Sequence, residues 1–73
     1  MISKKTALEL NSIALAGGSL EVDGQAYTAL ELSSVARSLK GVGRLRILNS
    51  DKFTALECGS IARSAREGTV EFA

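Results

Sequence analysis

The feature that most constrains this chain is a nine-residue pattern that occurs three times. The copies begin at Thr6, Thr28 and Thr54, and each reads Thr-Ala-Leu-Glu, two variable residues, and then Ser-Ile-Ala or Ser-Val-Ala. The copies start 22 and 26 residues apart, a spacing within the range of solenoid repeats. Because so many positions agree, we expect the chain to build one structural unit three times.

Each copy opens with a signal for the start of a helix. Thr-x-x-Glu is a capping box, in which the threonine oxygen accepts the third amide of the helix and the glutamate accepts the threonine amide. Glycines that can end a helix follow every copy, at Gly17-Gly18, Gly41 and Gly68. The pattern therefore predicts helices over about 6–16, 28–40 and 54–67.

A short segment of alternating apolar and charged residues follows each glycine stop. These segments are Leu20-Glu21-Val22, Leu45-Arg46-Ile47 and Val70-Glu71-Phe72. Period-two alternation is typical of a strand with one face against the helices. Asp-Gly also favours tight hairpin turns, so a hairpin over residues 22–27 is an alternative. We rank it second, because nothing similar follows Ile47.

Alternation of helices and strands predicts parallel strands joined by right-handed crossovers. We expect an α/β fold, a short solenoid of three helix-strand repeats over about 6–22, 28–48 and 54–72. Its helices would lie on one face of a three-stranded, mostly parallel sheet, in a single domain of residues 1–73. Strands in chain order would place Glu21, Arg46 and Glu71 in a row on the open face.

The small size of the chain favours association with another protein. A chain of 73 residues buries a limited core, and small domains usually add disulfides, a metal or a partner. Cys58 is the only cysteine and there is no histidine, so an internal disulfide or a Cys/His zinc site cannot form. Without histidine, the sequence offers no pair of a nucleophile and a base, so we expect no enzyme activity, cofactor or metal.

Composition also bears on where the protein works. No apolar run approaches the ~18 residues of a membrane span, and we expect no membrane partner. The lone cysteine favours a reducing, cytoplasmic setting.

Three leucines break the helical pattern at equivalent positions. Leu8, Leu30 and Leu56 fall roughly opposite the apolar face of each predicted helix. In one interpretation, which we favour, each leucine leans over its own first turn and covers Tyr27 or Phe53. In the other, the leucines form an exposed row that binds a partner.

Two further features favour a protein partner. Leu15 stands where the other copies carry Arg37 and Arg63, which suggests that something covers the first helix there. The third strand would present an open edge at Glu71 and Phe72, and an open edge invites pairing with another chain. The expected function is a protein-interaction or self-assembly module, with a second copy of the chain as partner, in a homodimer or a larger oligomer.

The alternative function is binding of nucleic acid. Six basic residues of the second and third copies could contact phosphates: Arg37, Lys40, Arg44, Arg46, Arg63 and Arg66. The simpler interpretation is that cations near the end of a helix complement its dipole. The net charge is only +1, and no aromatic residue is interleaved for stacking on bases. We therefore rank nucleic-acid binding below protein interaction.

Overall fold

A computed structural model describes all residues, 1–73, and its three helices begin at the predicted caps. The helices are α1 (Ala7–Leu15), α2 (Ala29–Ser38) and α3 (Ala55–Ser64). In each capping box the threonine oxygen accepts the amide of the glutamate at 3.1–3.2 Å. The glutamate in turn accepts the threonine amide at 2.8–2.9 Å. The sequence signal thus corresponds to the same local structure three times.

The helices end differently from one another. After α1, Gly17 has a φ of 90°, and the amides of Gly17 and Gly18 donate to Ala14 and Ile13, which closes the helix as predicted. The predicted ends of α2 and α3, at residues 40 and 67, were two and three residues too late. The chain becomes extended at Leu39 and Ala65, where ψ is 143° and 120°. Leu39 thereby enters the core.

The strands are parallel and lie in chain order, as predicted. They are β1 (Leu20–Asp23), β2 (Arg44–Leu48) and β3 (Thr69–Phe72). Leu20 pairs with Leu45, which pairs with Val70, so successive strands are shifted by 25 residues. The alternative hairpin was wrong. Its second half is a 3₁₀ turn over Gly24–Ala26, in which Asp23 accepts the amide of Gln25.

The core lies between the helix layer and one face of the sheet. Apolar and charged residues alternate in each strand, and the apolar ones face the helices. Its thirteen buried residues are Leu10, Ala14, Leu20, Val22, Tyr27, Leu32, Val35, Ala36, Leu39, Leu45, Ile47, Phe53 and Ile61. Tyr27 also donates a hydrogen bond of 2.6 Å from its hydroxyl to the carbonyl oxygen of Lys5, which ties the chain before α1 to the core.

Three glycines let the loops before the strands pack closely. Gly18, Gly43 and Gly68 share the 25-residue shift of the strands. A Cβ atom on Gly43 would lie 3.1 Å from the carbonyl oxygen of Gly18, and one on Gly68 would collide with the carbonyl oxygen of Gly43. The sequence pattern predicted Gly18 and Gly68 only as helix stops. The spacing of Gly18, Gly43 and Gly68 was the signal that could have shown their second role.

A short N-terminal segment pairs with the outer edge of β1. The amide of Ile2 donates to the carbonyl oxygen of Glu21 at 2.7 Å, and the amide of Asp23 donates to the carbonyl oxygen of Ile2 at 2.8 Å. Ile2 lies parallel to Val22, and its side chain packs against the core. This pairing, which the sequence did not suggest, covers the β1 edge of the sheet.

Candidate interaction surfaces

The three pattern-breaking leucines are exposed on the outside of the helix layer. Leu8, Leu30 and Leu56 are 75%, 82% and 77% exposed. The favoured interpretation, in which they cover Tyr27 and Phe53, was therefore wrong. Both aromatic residues are buried, while the leucines remain in solvent. Leu15 is also exposed, and it lies two turns after Leu8 on the same side of α1. The four leucines form what we call the leucine row.

A groove of about 450 Å³ runs between α2 and α3 beside this row. Leu30 and Leu56 line it together with Ser33 and Ser60. The equivalent place between α1 and α2 holds Asn11, whose amide donates to Ser34 at 3.1 Å and whose side-chain oxygen accepts from Ser38 at 3.4 Å. Because Ser33 is shorter than Asn11, the second junction is left open on its outer surface.

The third helix and strand expose positions that are buried elsewhere. Ala14 and Ala36 are fully buried, whereas Ala62, which ends the third copy of the pattern, is exposed. Leu10 and Leu32 are fully buried, whereas Cys58 at the same position is partly exposed. Both inward-facing residues of β3, Val70 and Phe72, are also only partly covered. This side of the molecule therefore presents small and apolar side chains to solvent.

The outer edge of β3 adds unpaired backbone groups to the same side. The amides of Thr69 and Ala73 donate to carbonyl oxygens of the β2 segment, Gly43 and Ile47. Along a strand, successive residues direct their backbone groups to opposite sides. The N–H and C=O groups of Val70 and Phe72 therefore point away from β2. No other segment of the chain pairs with this edge.

The open face of the sheet carries the predicted row of charges. Glu21, Arg46 and Glu71 are in register across the three strands. Arg46 lies 3.5 Å from Glu21 and 4.0 Å from Glu71. The shortest ion pair is diagonal, since an Nη atom of Arg44 lies 2.6 Å from a carboxylate oxygen of Glu71. Hydrogen bonding from Arg44 holds the pKa of Glu71 below its ordinary value, although partial desolvation opposes this.

The structure does not gather the six basic residues into one surface. Arg44 and Arg46 project from the open face of the sheet, where both pair with glutamates. Lys40, after α2, lies 4.0 Å from Glu67. Arg37 and Arg63 lie on α2 and α3, on the other side of the sheet, and Arg66 lies in the loop after α3; none of the three makes an ion pair. The expected basic surface is thus divided between two faces and partly neutralised.

Comparisons with models of protein families, with curated proteins and with solved structures found no match. None of the helices has the length and apolar character needed to cross a membrane.

Proposed function

We propose that this protein is a small protein-interaction module, built as a short solenoid, that assembles with further copies of itself. The observation that carries the proposal is the exposure of core positions in α3 and β3. Ala62 and Cys58 stand where α1 and α2 have fully buried residues, and β3 of the same unit has an unpaired edge. An exposed edge next to apolar side chains is the arrangement to which another chain can add.

The leucine row supports the same function through a second surface. A single exposed leucine is ordinary in a soluble protein, but here the same position is exposed in all three helices. With the groove between α2 and α3, the row offers apolar surface on the outside of the helix layer. Such a surface suits the apolar face of a helix of a second copy.

Size-exclusion chromatography with light scattering, over concentrations up to millimolar, tests the proposal. We expect the mass to rise with concentration from that of a 7.6 kDa monomer. Ala62→Arg should lower the association, because it places a long charged side chain on the exposed surface of α3. Val42→Arg is the matched control, since Val42 lies in the loop between α2 and β2 and is already 92% exposed.

Each other outcome has a definite meaning. A monomer at every concentration would contradict self-assembly. Equal loss of association in Ala62→Arg and Val42→Arg would contradict the assignment to the α3 surface. The leucine row would then be the surface to test. Co-elution of material with strong absorbance at 260 nm would favour nucleic-acid binding, because the protein has no tryptophan and one tyrosine.

A further inference from the structure

One type of helix junction occurs twice within the chain. Asn11 bonds across to Ser34 and Ser38, so this side of α1 faces α2, and Ala14 lies one turn further along it. Ala36 holds the same place on α2, towards α3. On the helices that they face, α2 and α3, Val35 and Ile61 occupy equivalent positions. All four of these apolar residues are fully buried.

Each end of the helix layer exposes one side of this type of junction. At one end, which we call the tail, Ala62 of α3 has the position of Ala14 and Ala36 but is exposed. At the other end, the head, Ile13 of α1 has the position of Val35 and Ile61 but is only partly buried. The tail thus presents the alanine side of the junction with no helix packed against it. The head presents the isoleucine side, also with no helix packed against it.

The sheet shows the same complementarity. Val22, Ile47 and Phe72 share one level across the three strands. If the register continued into a second copy, Phe72 would lie beside Val22 of that copy. In the structure this place beside Val22 is held by Ile2, through two backbone hydrogen bonds and a half-buried side chain.

We propose that the tail of one copy stacks on the head of a second copy, and that the Met1–Ser3 segment limits this assembly because Ile2 holds the place that Phe72 of the neighbour would take. The inference rests on the proposed self-assembly and adds its geometry and its control. The interface is heterologous, so it permits chains longer than dimers wherever Ile2 leaves the β1 edge.

Charge disfavours a symmetric pairing of two tails through their Gly59 surfaces. Arg63 lies across Gly59 on the tail, with a guanidinium nitrogen 3.3 Å from where a Cβ would stand. A symmetric tail-to-tail dimer would bring two copies of Arg63 together. In the existing junction Glu57 of α3 lines the groove towards α2, and Glu9 is its equivalent on α1. At that junction the pair corresponding to Arg63 and Glu9 is Arg37 and Glu57, which forms no ion pair, so we expect head-to-tail stacking to depend on apolar contacts and on the strand edge.

One charge contact on the sheet opposes the stack. Glu71 would lie beside Glu21 of the second copy, and like charges on adjacent strands are destabilising. Arg44 and Arg46 already contact these carboxylates within each copy, which reduces the repulsion. Together with Ile2, this contact keeps the association reversible.

The role of Ile2 in limiting assembly is tested with Ile2→Ser, which removes the packed side chain. We expect the association constant, measured by sedimentation equilibrium, to rise on the order of tenfold, since the loss of buried apolar area frees the β1 edge. Lys4→Ser is the control, because Lys4 is exposed and forms neither a backbone hydrogen bond nor an ion pair with β1. Circular dichroism checks that the Ile2→Ser protein is folded. If its association constant is then unchanged or lowered, Ile2 does not limit the assembly.

The polarity is tested with two blocked variants, both carrying Ile2→Ser. Ala62→Arg blocks the tail. Ala16→Arg blocks the head, because Ala16 has the position of Ser38, which bonds to the preceding helix through Asn11. Both alanines are exposed, so each variant should fold. Each variant alone should be monomeric, whereas an equimolar mixture should form a dimer of one copy of each and nothing larger. Val42→Arg in the same background should assemble as the Ile2→Ser protein does.

The results separate this inference from the proposed function. Dimers of the head-blocked variant alone would show tail-to-tail pairing, which overturns head-to-tail stacking but leaves self-assembly standing. If the Ile2→Ser protein assembles but the two blocked variants stay monomeric when mixed, head-to-tail stacking would also be overturned. Monomers in every sample, Ile2→Ser included, would overturn both.

Discussion

The second helix-strand unit, α2 with β2, and the third, α3 with β3, are built from closely similar sequences but differ in burial. In the second unit, the apolar residues Leu32, Val35, Ala36, Leu45 and Ile47 are all fully buried. In the third, only Ile61 among the equivalent residues is fully buried. The second unit has a helix and a strand on each side, whereas the third has neighbours on one side only.

The comparison shows that burial here depends on position in the stack as much as on residue type. Each helix carries an apolar face towards the sheet and flanks of small residues towards its neighbours. In a stacked array, stability comes from the interfaces between neighbours as well as from each unit. The third unit keeps small residues on both flanks of its helix, but a neighbouring unit covers only one of them.

The largest expected difference between the units concerns their central strand residues. Leu45→Ala should lower the free energy of unfolding by about 2–5 kcal/mol, because Leu45 is fully buried in β2. Val70→Ala, at the same level in β3, should cost only about 1 kcal/mol, because Val70 is partly exposed. Urea denaturation monitored by circular dichroism, at concentrations where the protein is monomeric, measures both values.

Val22→Ala is the chemical control for this pair. It removes the same two methyl groups as Val70→Ala, but from a fully buried site in β1. We expect a loss of about 2 kcal/mol, above that of Val70→Ala and at the lower end of the range for Leu45→Ala. Equal losses for Val22→Ala and Val70→Ala would mean that β3 is as well covered in solution as β1, and the comparison between the units would fail.

A second pair of variants tests how closely the third unit is seated on the second. Gly68 and Gly41 both have a positive φ, 76° and 59°, so alanine is strained at either site by about 1–2 kcal/mol. A Cβ on Gly41 would meet nothing within 4 Å, whereas one on Gly68 would strike the backbone of Gly43. Gly68→Ala should therefore destabilise the protein by about 1–3 kcal/mol more than Gly41→Ala.

Thermal unfolding of the two glycine variants gives this difference directly. If Gly68→Ala were no worse than Gly41→Ala, the loop before β3 would not be held against Gly43. The third unit would then be more loosely attached than the hydrogen bond of 3.0 Å from Thr69 to Gly43 indicates.

Local signals in the sequence predicted the elements well. The capping boxes marked all three helix starts, and period-two alternation marked all three strands, because both signals depend on neighbouring residues. The alternation of helices and strands then predicted parallel strands, and strands in chain order predicted the row of Glu21, Arg46 and Glu71. The helix ends were predicted less well, because Leu39 leaves the helix to reach a core formed by distant residues.

The candidate surfaces depended on contacts that no local pattern reveals. The exposure of Leu30 follows from how α2 and α3 pack, and the sequence left two interpretations of it open. The pairing of Ile2 with β1 brings together residues about 20 positions apart, without any turn signal between them. The diagonal pair of Arg44 and Glu71 arises because Arg44 reaches across the strands, so the pairing of directly opposite residues did not predict it.

The smallest expected effect concerns the charges that join the second unit to the third. Glu71 has a lowered pKa in the folded protein, mainly through its hydrogen bonds from Arg44. A carboxylate with a lowered folded-state pKa contributes stability that is fully present above its unfolded-state pKa and is lost as the pH falls through the folded value. Glu71→Gln should therefore be less sensitive to pH between neutral and acid conditions than the wild type.

Arginine variants show which partner is responsible. Arg44→Gln should remove most of the acid-dependent difference, because Arg44 approaches Glu71 to 2.6 Å. Arg46→Gln should remove less, because Arg46 lies 4.0 Å from the same carboxylate. Unfolding free energies measured across this pH range at low salt provide the comparison, since exposed ion pairs are screened by added salt. A larger change from Arg46→Gln would mean that the in-register row, rather than the diagonal pair, joins β2 to β3 at this face.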